Sequence, residues 1–324
     1  MLSFVDALNP PRLPFLLAVS LAALGIGTCQ ASGLRSCEQA PEMSAAQQDR
    51  LFRFGAIIKA ELDASGQSLA LVARSGLDLS RFGMRYSHAG LSLKASQNTP
   101  WSVRQLYYAC DEQKPRIFDQ GMAGFLLGSD TAEIGYISVV FLPPADAAAL
   151  ERAALDNRRA VQVLSPSYSA NAYPYSLTYQ NCNQWVMEML ALSWGGLDES
   201  AALRPQAQTW LREQGYSPTV FEVGSRPLMW LAHFIPWLHS DDHPVEDIEQ
   251  QRYRVSMPAA IDTFVQSRSP GSERIEFCHT DRHVVIRRGW VPIADGCQPD
   301  ADDQVIALDL SGDVVRERLA AQAR

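Results

Sequence analysis

Residues 135–142 (GYISVVFL) limit this chain more than any other stretch: they form an uncharged, β-branched run that Pro143-Pro144 stops. A run of this kind suits a strand covered on both faces, so the fold needs packing layers above and below a sheet. An Ala-rich helix is predicted directly after it, over residues 145–157. Residues 69–74 read as a second buried strand. Residues 85–93 alternate, with Tyr86, His88, Gly90 and Ser92 on one side and Ala89, Leu91 and Leu93 on the other. Residues 101–110 give the next strand, joined by a short polar connection, and residues 116–119 extend the sheet.

Helices frame these strands. Ser44 and Gln47 form a capping-box signature ahead of Leu51, Phe54, Ile58 and Leu62, which share a face over residues 44–64. Another helix is predicted to begin near Cys182, with Trp185, Val186, Met189 and Leu190 buried. The mixed order predicts an α+β core within residues 36–200. Residues 201–324 read as a C-terminal extension: helices around 206–214, 226–239 and 258–265, a hairpin in the 280s and an acidic tail. Residues 227–238 (PLMWLAHFIPWL) read either as a buried helix or as an interfacial one resting on a membrane through Trp230 and Trp237.

With 28 basic against 36 acidic residues and no basic run, the chain lacks the cationic surface that nucleic-acid binding requires. It has no Gly-rich phosphate loop, and no cofactor is expected. Arg12 followed by an apolar stretch over residues 13–28 and by Cys29-Gln30-Ala31 reads as a signal peptide spanning residues 1–31. An uncleaved anchor and a lipidated Cys29 are the alternatives. The mature protein is therefore expected in the periplasm or outside the cell, where thiols tend to pair. Cleavage leaves an odd set: Cys37, Cys110, Cys182, Cys278 and Cys297. Pairing Cys278 with Cys297 and Cys37 with Cys110 leaves Cys182 over. Cys278, His279 and His283 could suggest zinc, but the spacing favours a disulfide with surface histidines, and no metal site is expected.

Two strings carry chemistry: Tyr86-Ser87-His88-Ala89-Gly90-Leu91 on a strand, and Tyr179-Gln180-Asn181-Cys182-Asn183-Gln184-Trp185-Val186 where a loop enters a helix. A cysteine in the first helical turn lies at the positive end of the macrodipole, which favours its thiolate. A facing imidazole would assist as base and then as acid. Gly90, on the His88 face, is expected to leave space over such a site, and Asn181 to cap the helix.

His-x-Gly on a strand followed much later by Asn-Cys-x-x-[aromatic]-Val resembles the permuted branch of the NlpC-type papain-like superfamily, which includes lecithin retinol acyltransferase. Through "RYSHAGLSLK", "WSVRQLYYACDE", "FDQGMAGFLLG" and "YQNCNQWV", the chain also resembles an uncharacterised bacterial family, domain of unknown function 2145. The first resemblance implies a permuted papain-like core, with an antiparallel sheet packed against the Cys182 helix. It implies Cys182 as nucleophile, His88 as base and Gln105 as the group holding the imidazole, with Asp119 and Asp111 as other candidates. Gln180 and the Cys182 backbone N–H would hold the oxyanion. The expected activity is that of a cysteine hydrolase or acyltransferase on an amide or ester, in a small molecule, a lipid or a cell-wall peptide. A non-catalytic envelope module, or a structural Cys182–Cys110 disulfide, are the competing readings.

Overall fold

A computed structural model describes residues 43–128 and 133–308. The signal peptide and the Cys37 half of the proposed Cys37–Cys110 pair lie outside them. The order is α1 (Ala45–Ala64), β1 (Leu69–Arg74), β2 (His88–Leu93), β3 (Ser102–Ala109), β4 (Lys114–Gln120), α2 (Met122–Leu127), β5 (Gly135–Phe141), α3 (Pro144–Leu155), α4 (Asn157–Gln162) and α5 (Cys182–Trp194). It continues α6 (Leu203–Glu213), β6 (Thr219–Glu222), α7 (Arg226–Ala232), α8 (Val245–Glu249), β7 (Arg252–Val255), α9 (Pro258–Arg268), β8 (Glu273–His279), β9 (His283–Arg288) and β10 (Gln304–Ala307).

One antiparallel sheet of eight strands, in the order β10-β9-β8-β5-β1-β2-β3-β4, organises the chain, and the fold is α+β. The uncharged run of β5 sits inside it, paired with β1 on one side and β8 on the other. Its Ile137, Val139 and Phe141 enter a cluster with Phe54 and Phe125 of α1 and α2. Its Val140 enters the opposite cluster, with Leu150 of α3 and Trp185 of α5. Side chains of period two therefore feed two cores. β8, β9 and β10 continue the same sheet, so the hairpin expected in a separate extension completes the central layer instead.

α5 explains itself through composition. Cys182 to Leu192 are buried without interruption, the pattern of a helix enclosed on all sides. Its one charge, Glu188, has no exposure, and five donors meet it. Gln184 Nε2 (3.1 Å), Gln208 Nε2 (3.0 Å) and Arg204 Nη2 (3.2 Å) bond Oε1; Gln180 Nε2 (2.6 Å) and Arg204 Nε (2.9 Å) bond Oε2. Arg204 also reaches the carbonyls of Leu177 (3.0 Å) and Tyr179 (3.1 Å), fastening the loop that leads into Cys182.

α7 ends at Ala232, well short of the helix expected to residue 239. Trp230 is 61% exposed, whereas Trp237 is only 8% exposed and lies against Tyr108 with ring centroids 6.5 Å apart. Of the two tryptophans expected at a membrane, only Trp230 is on the surface. Cys278 and Cys297 form a disulfide, which takes Cys278 out of any zinc set and is consistent with export. His279, expected on the surface, is buried against Phe54 at 4.7 Å, and burial pushes it down to about 4. Among the described residues no helix is long and apolar enough to cross a membrane.

Candidate active site at a parting of two strands

β2 and β3 pair from Leu93↔Ser102 to Leu91↔Arg104, and there the ladder stops. On its other side β2 stays paired with β1 as far as Arg74↔His88. The Lys94 N–H bonds the Ser68 carbonyl, so even-numbered N–H groups of β2 face β1 and odd-numbered ones face β3. The Ala89 N–H thus points into the space where β3 has departed. Cys182, the first residue of α5, comes to that space, and the Ala89 N–H is among the groups acting on its sulfur.

The helix start is fixed as its sequence suggested. Asn181 Oδ1 accepts from the Gln184 N–H at 2.7 Å, while its Nδ2 donates to the Ala170 (3.1 Å) and Ser256 (3.3 Å) carbonyls. Asn183 Nδ2 donates to the Ser87 and Ser256 carbonyls, each at 3.1 Å, tying the helix to the chain just before His88. Cys182 is a free thiol, so the reading that bonds it to Cys110 fails.

His88, the residue before Ala89 on β2, points to the other face of the sheet. Ala89, Leu91 and Leu93 lie in the cluster beneath α5, and alternation turns His88 away from it, onto Phe125 with centroids 5.9 Å apart. Its Nε2 lies 2.5 Å from Gln105 Oε1, and Gln105 Nε2 donates to Gln120 Oε1 at 2.7 Å. That second bond orients the amide, so Oε1 accepts from an Nε2–H and the lone pair resides on Nδ1. His88 and Gln105 are therefore brought together; the imidazole lies on the face of β2 opposite the helix that carries Cys182, and among the described residues no hydrogen bond joins it to the sulfur.

Gly90 serves this arrangement differently from the expectation of open space. A Cβ there would stand 2.6 Å from Val103 Cγ1, 3.0 Å from the Arg104 carbonyl oxygen and 3.3 Å from Gln105 Cβ. Glycine lets β3 come close enough for Gln105 to reach the ring. Tyr86, expected on the His88 face, packs on the α5 side and donates to buried Glu276, because the chain before His88 is not in the strand.

Burial dominates the electrostatics. It pushes the Cys182 thiol up to about 11, although the Arg74 guanidinium and the N–H groups of Ala89, Asn183 and Cys182 itself pull the other way. The lowered thiol expected of a helix terminus is thus reversed. Burial, helped by Arg74, pushes His88 down to about 3, against the Gln105 contact. Both groups are neutral at rest. Alkylation of Cys182 by iodoacetamide at pH 8 is expected to run about 100-fold slower than that of a model thiol, since each pKa unit removes tenfold of thiolate. Mass spectrometry of the Cys182 peptide against pH checks this; a midpoint below 9 would contradict the burial argument.

Gln180 does not face the sulfur. Its Nε2 donates to the Val163 carbonyl (2.8 Å) and Glu188 (2.6 Å), and its Oε1 accepts from the Ser165 N–H (2.9 Å). It cannot serve as oxyanion donor, which leaves the N–H groups of Cys182 and Asn183 in the first turn. Asp119 is held by Arg104 (2.7 and 2.6 Å) rather than by the imidazole. Sequence reasoning missed Tyr108 and Tyr168, which stack at 5.0 Å; burial foremost, and then the nearby Cys182 sulfur, raises the Tyr168 pKa. The aromatic richness of residues 165–179 was the signal available for Tyr168.

The model of a family described as an uncharacterised protein conserved in bacteria, domain of unknown function 2145, matches residues 61–265, more than half of the chain. No curated protein and no solved structure matches.

Proposed function

The chain belongs to this uncharacterised bacterial family, and on that premise we propose that it is an exported cysteine hydrolase or acyltransferase with a permuted papain-like (NlpC-type) core, acting on an amide or ester. The observation that carries the reading is a free thiol at a capped helix start that meets the Ala89 N–H, next along β2 from a Gln-held imidazole. A thiol near 11 and an imidazole near 3 do not form a resting ion pair, so the reaction proceeds by general-base transfer as the bond to carbon forms. The imidazole turns into the opening and Nδ1 takes the sulfur's proton while Sγ attacks the carbonyl carbon. The carbonyl π pair moves to oxygen, which the Cys182 and Asn183 N–H groups stabilise. Collapse expels the amine or alcohol, which receives the proton from the imidazolium, and leaves a thioester on Cys182. Water or an acceptor hydroxyl or amine, deprotonated by Nδ1, releases the acyl group. The substrates this chemistry suits are small molecules, lipids and cell-wall peptides.

The neutrality of both groups favours a second reading, a non-catalytic cell-envelope binding or assembly module on the same fold. Exposure to activated acyl esters, followed by peptide mass spectrometry, separates the two. An acyl adduct on Cys182, absent in Cys182→Ala and formed faster than on a model thiol at the same pH, is the expected result. Absence of the adduct, or formation no faster than on the model thiol, assigns the module.

A further inference from the structure

The loop that delivers Cys182, residues 163–181, is gripped by one short segment, residues 237–243. The Ala170 N–H donates to the Trp237 carbonyl at 2.8 Å. Asn171 Nδ2 donates to the His239 carbonyl at 2.7 Å, its Oδ1 accepts from the His239 N–H at 3.1 Å, and its carbonyl accepts from His243 Nε2 at 2.7 Å. The Tyr173 N–H donates to Asp242 Oδ2 at 2.9 Å, and the Tyr179 ring stacks on His239 with centroids 4.3 Å apart. These grips reach the helix start, because the Ala170 carbonyl accepts from the Asn181 side chain at 3.1 Å. They also hold Tyr168, which stacks on Tyr108 beside the sulfur. Cys182 itself is only 6% exposed, so access to it requires part of its surroundings to lift, and this loop is the irregular part.

Two adjacent side chains of the gripping segment are enclosed yet incompletely partnered. Asp242 and His243 have no side-chain exposure, and Asp242 Oδ1 and His243 Nδ1 meet no hydrogen-bond partner among the described residues. His243 Nε2 lies 3.7 Å from Asp242 Oδ1, too far for a hydrogen bond, and its proton is committed to the Asn171 carbonyl. Burial keeps the imidazole neutral, so it supplies no counter-charge. Arg252 and Arg254, the cations of this junction, are both paired with Asp247 at 2.8 and 2.6 Å, and Arg254 also lies over the Tyr173 ring. Tyr253 packs on the His243 ring at 4.8 Å, and its hydroxyl meets Ser240. Asp241 adds a second negative charge, its Oδ2 accepting from the Tyr179 hydroxyl at 3.2 Å. Ionised Asp242 is thus a buried carboxylate with one backbone donor and no paired cation, whereas the protonated form buries no charge. Burial pushes its pKa up to about 6, against the Tyr173 N–H and with a smaller push from Asp241.

We propose that residues 237–243 form a proton-operated clasp: with a proton on Asp242 the loop stays closed beside the Cys182 sulfur, and ionisation of Asp242 lets it lift. A carboxyl that titrates near 6 when clasped and near 3.8 when solvated holds the loop fully below the lower value, and the hold is lost as pH rises through the upper one. Between pH 5 and pH 8 the opening equilibrium therefore rises about tenfold. Taken with Cys182 as nucleophile, on which this clause alone rests, the site admits substrate least in acid and most above neutrality.

Hydrogen exchange read by mass spectrometry and expressed as protection factors tests the clasp. In the parent, peptides covering residues 169–174 and 237–243 are expected to lose about tenfold in protection from pH 5 to pH 8. The β5 peptide, residues 135–141, is expected to change by less than about twofold. Asp242→Asn has nothing to titrate at this position and is expected to vary by less than about twofold throughout. Asp241→Asn, at the exposed neighbour, is expected to keep the parent's dependence. At pH 8 iodoacetamide is expected to label Cys182 in Asp242→Asn at least about fivefold more slowly than in the parent, because the neutral variant stays closed. Parent protection that holds steady from pH 5 to pH 8, or an Asp242→Asn protein that loses protection as the parent does, overturns the proposal. Equal labelling rates overturn it as well, since the clasp then does not govern the sulfur. Acyl-adduct formation is read separately, so none of these outcomes decides whether Cys182 is a nucleophile.

Discussion

Arg204→Met is expected to lower stability by about 3–5 kcal/mol, because it strips a fully buried carboxylate of its counter-charge. Glu188 lies in the middle of an enclosed helix, and among the described residues Arg204 supplies two of its five donors and its one opposite charge. Burial raises the Glu188 pKa and Arg204 is the largest influence lowering it, so losing the guanidinium moves it further up. A carboxyl whose folded pKa exceeds its unfolded value gains stability as pH falls through the folded pKa. The variant should therefore recover part of its loss on acidification toward pH 5, over a wider window than the parent. Urea unfolding at pH 8 and pH 5 measures both effects. Adding Glu188→Gln to Arg204→Met removes the stranded charge and should restore more than half of the deficit at pH 8. A loss under 1 kcal/mol, or a double variant no better than the single, would show that the three glutamines suffice to hold the ion. Arg204 also bonds the Leu177 and Tyr179 carbonyls, so the single variant should expose residues 176–181 to proteolysis before the sheet opens.

Which parts of this architecture were legible follows from how local their causes are. β5, α1 and the start of α5 could be read because each is dictated by neighbours in sequence. The proline stop ends β5, the Ser44–Gln47 box opens α1, and the Asn181 cap opens α5. Glu188 was readable as an anomaly between Met187 and Met189, but its partner Arg204 was not, since nothing near residue 204 encodes that meeting. The joining of β8 to β5 is likewise a long-range pairing without a local signal, which is why sequence places the hairpin in the 280s in a C-terminal extension over residues 201–324. In the site, strand alternation correctly separated His88 from Ala89. Which face α5 would cover was not encoded locally, and it decides that Ala89 rather than His88 lies beneath the helix. The thiol's direction of shift failed for a related reason. A helix terminus is visible in sequence, whereas the depth of burial that outweighs it is a property of the assembled layers.

His88→Ala is expected to slow formation of the Cys182 acyl adduct by about 10²–10⁴-fold, the range a positioned general base contributes. The informative companion is Gln105, because it tells a working imidazole from a structural one. Gln105 Oε1 faces the ring only because Gln105 Nε2 is committed to Gln120, so the pair keeps the proton on Nε2 and the base on Nδ1. Gln105→Leu removes that control and should cost about 10-fold or more in acylation rate while the fold, packed elsewhere, persists. Gln105→Glu acts in the opposite electrostatic sense. A carboxylate against a buried ring favours the imidazolium, so the His88 pKa moves up from about 3. The base is then neutral only above a higher pH, and the acidic limb of the acylation profile must shift upward by at least one unit. A ring that merely fills space between Phe125 and β3 would leave that limb in place whatever stands at position 105. Should the limb stay fixed while His88→Ala acylates at the parent rate, Cys182 acts without this imidazole and the opening is not a catalytic centre.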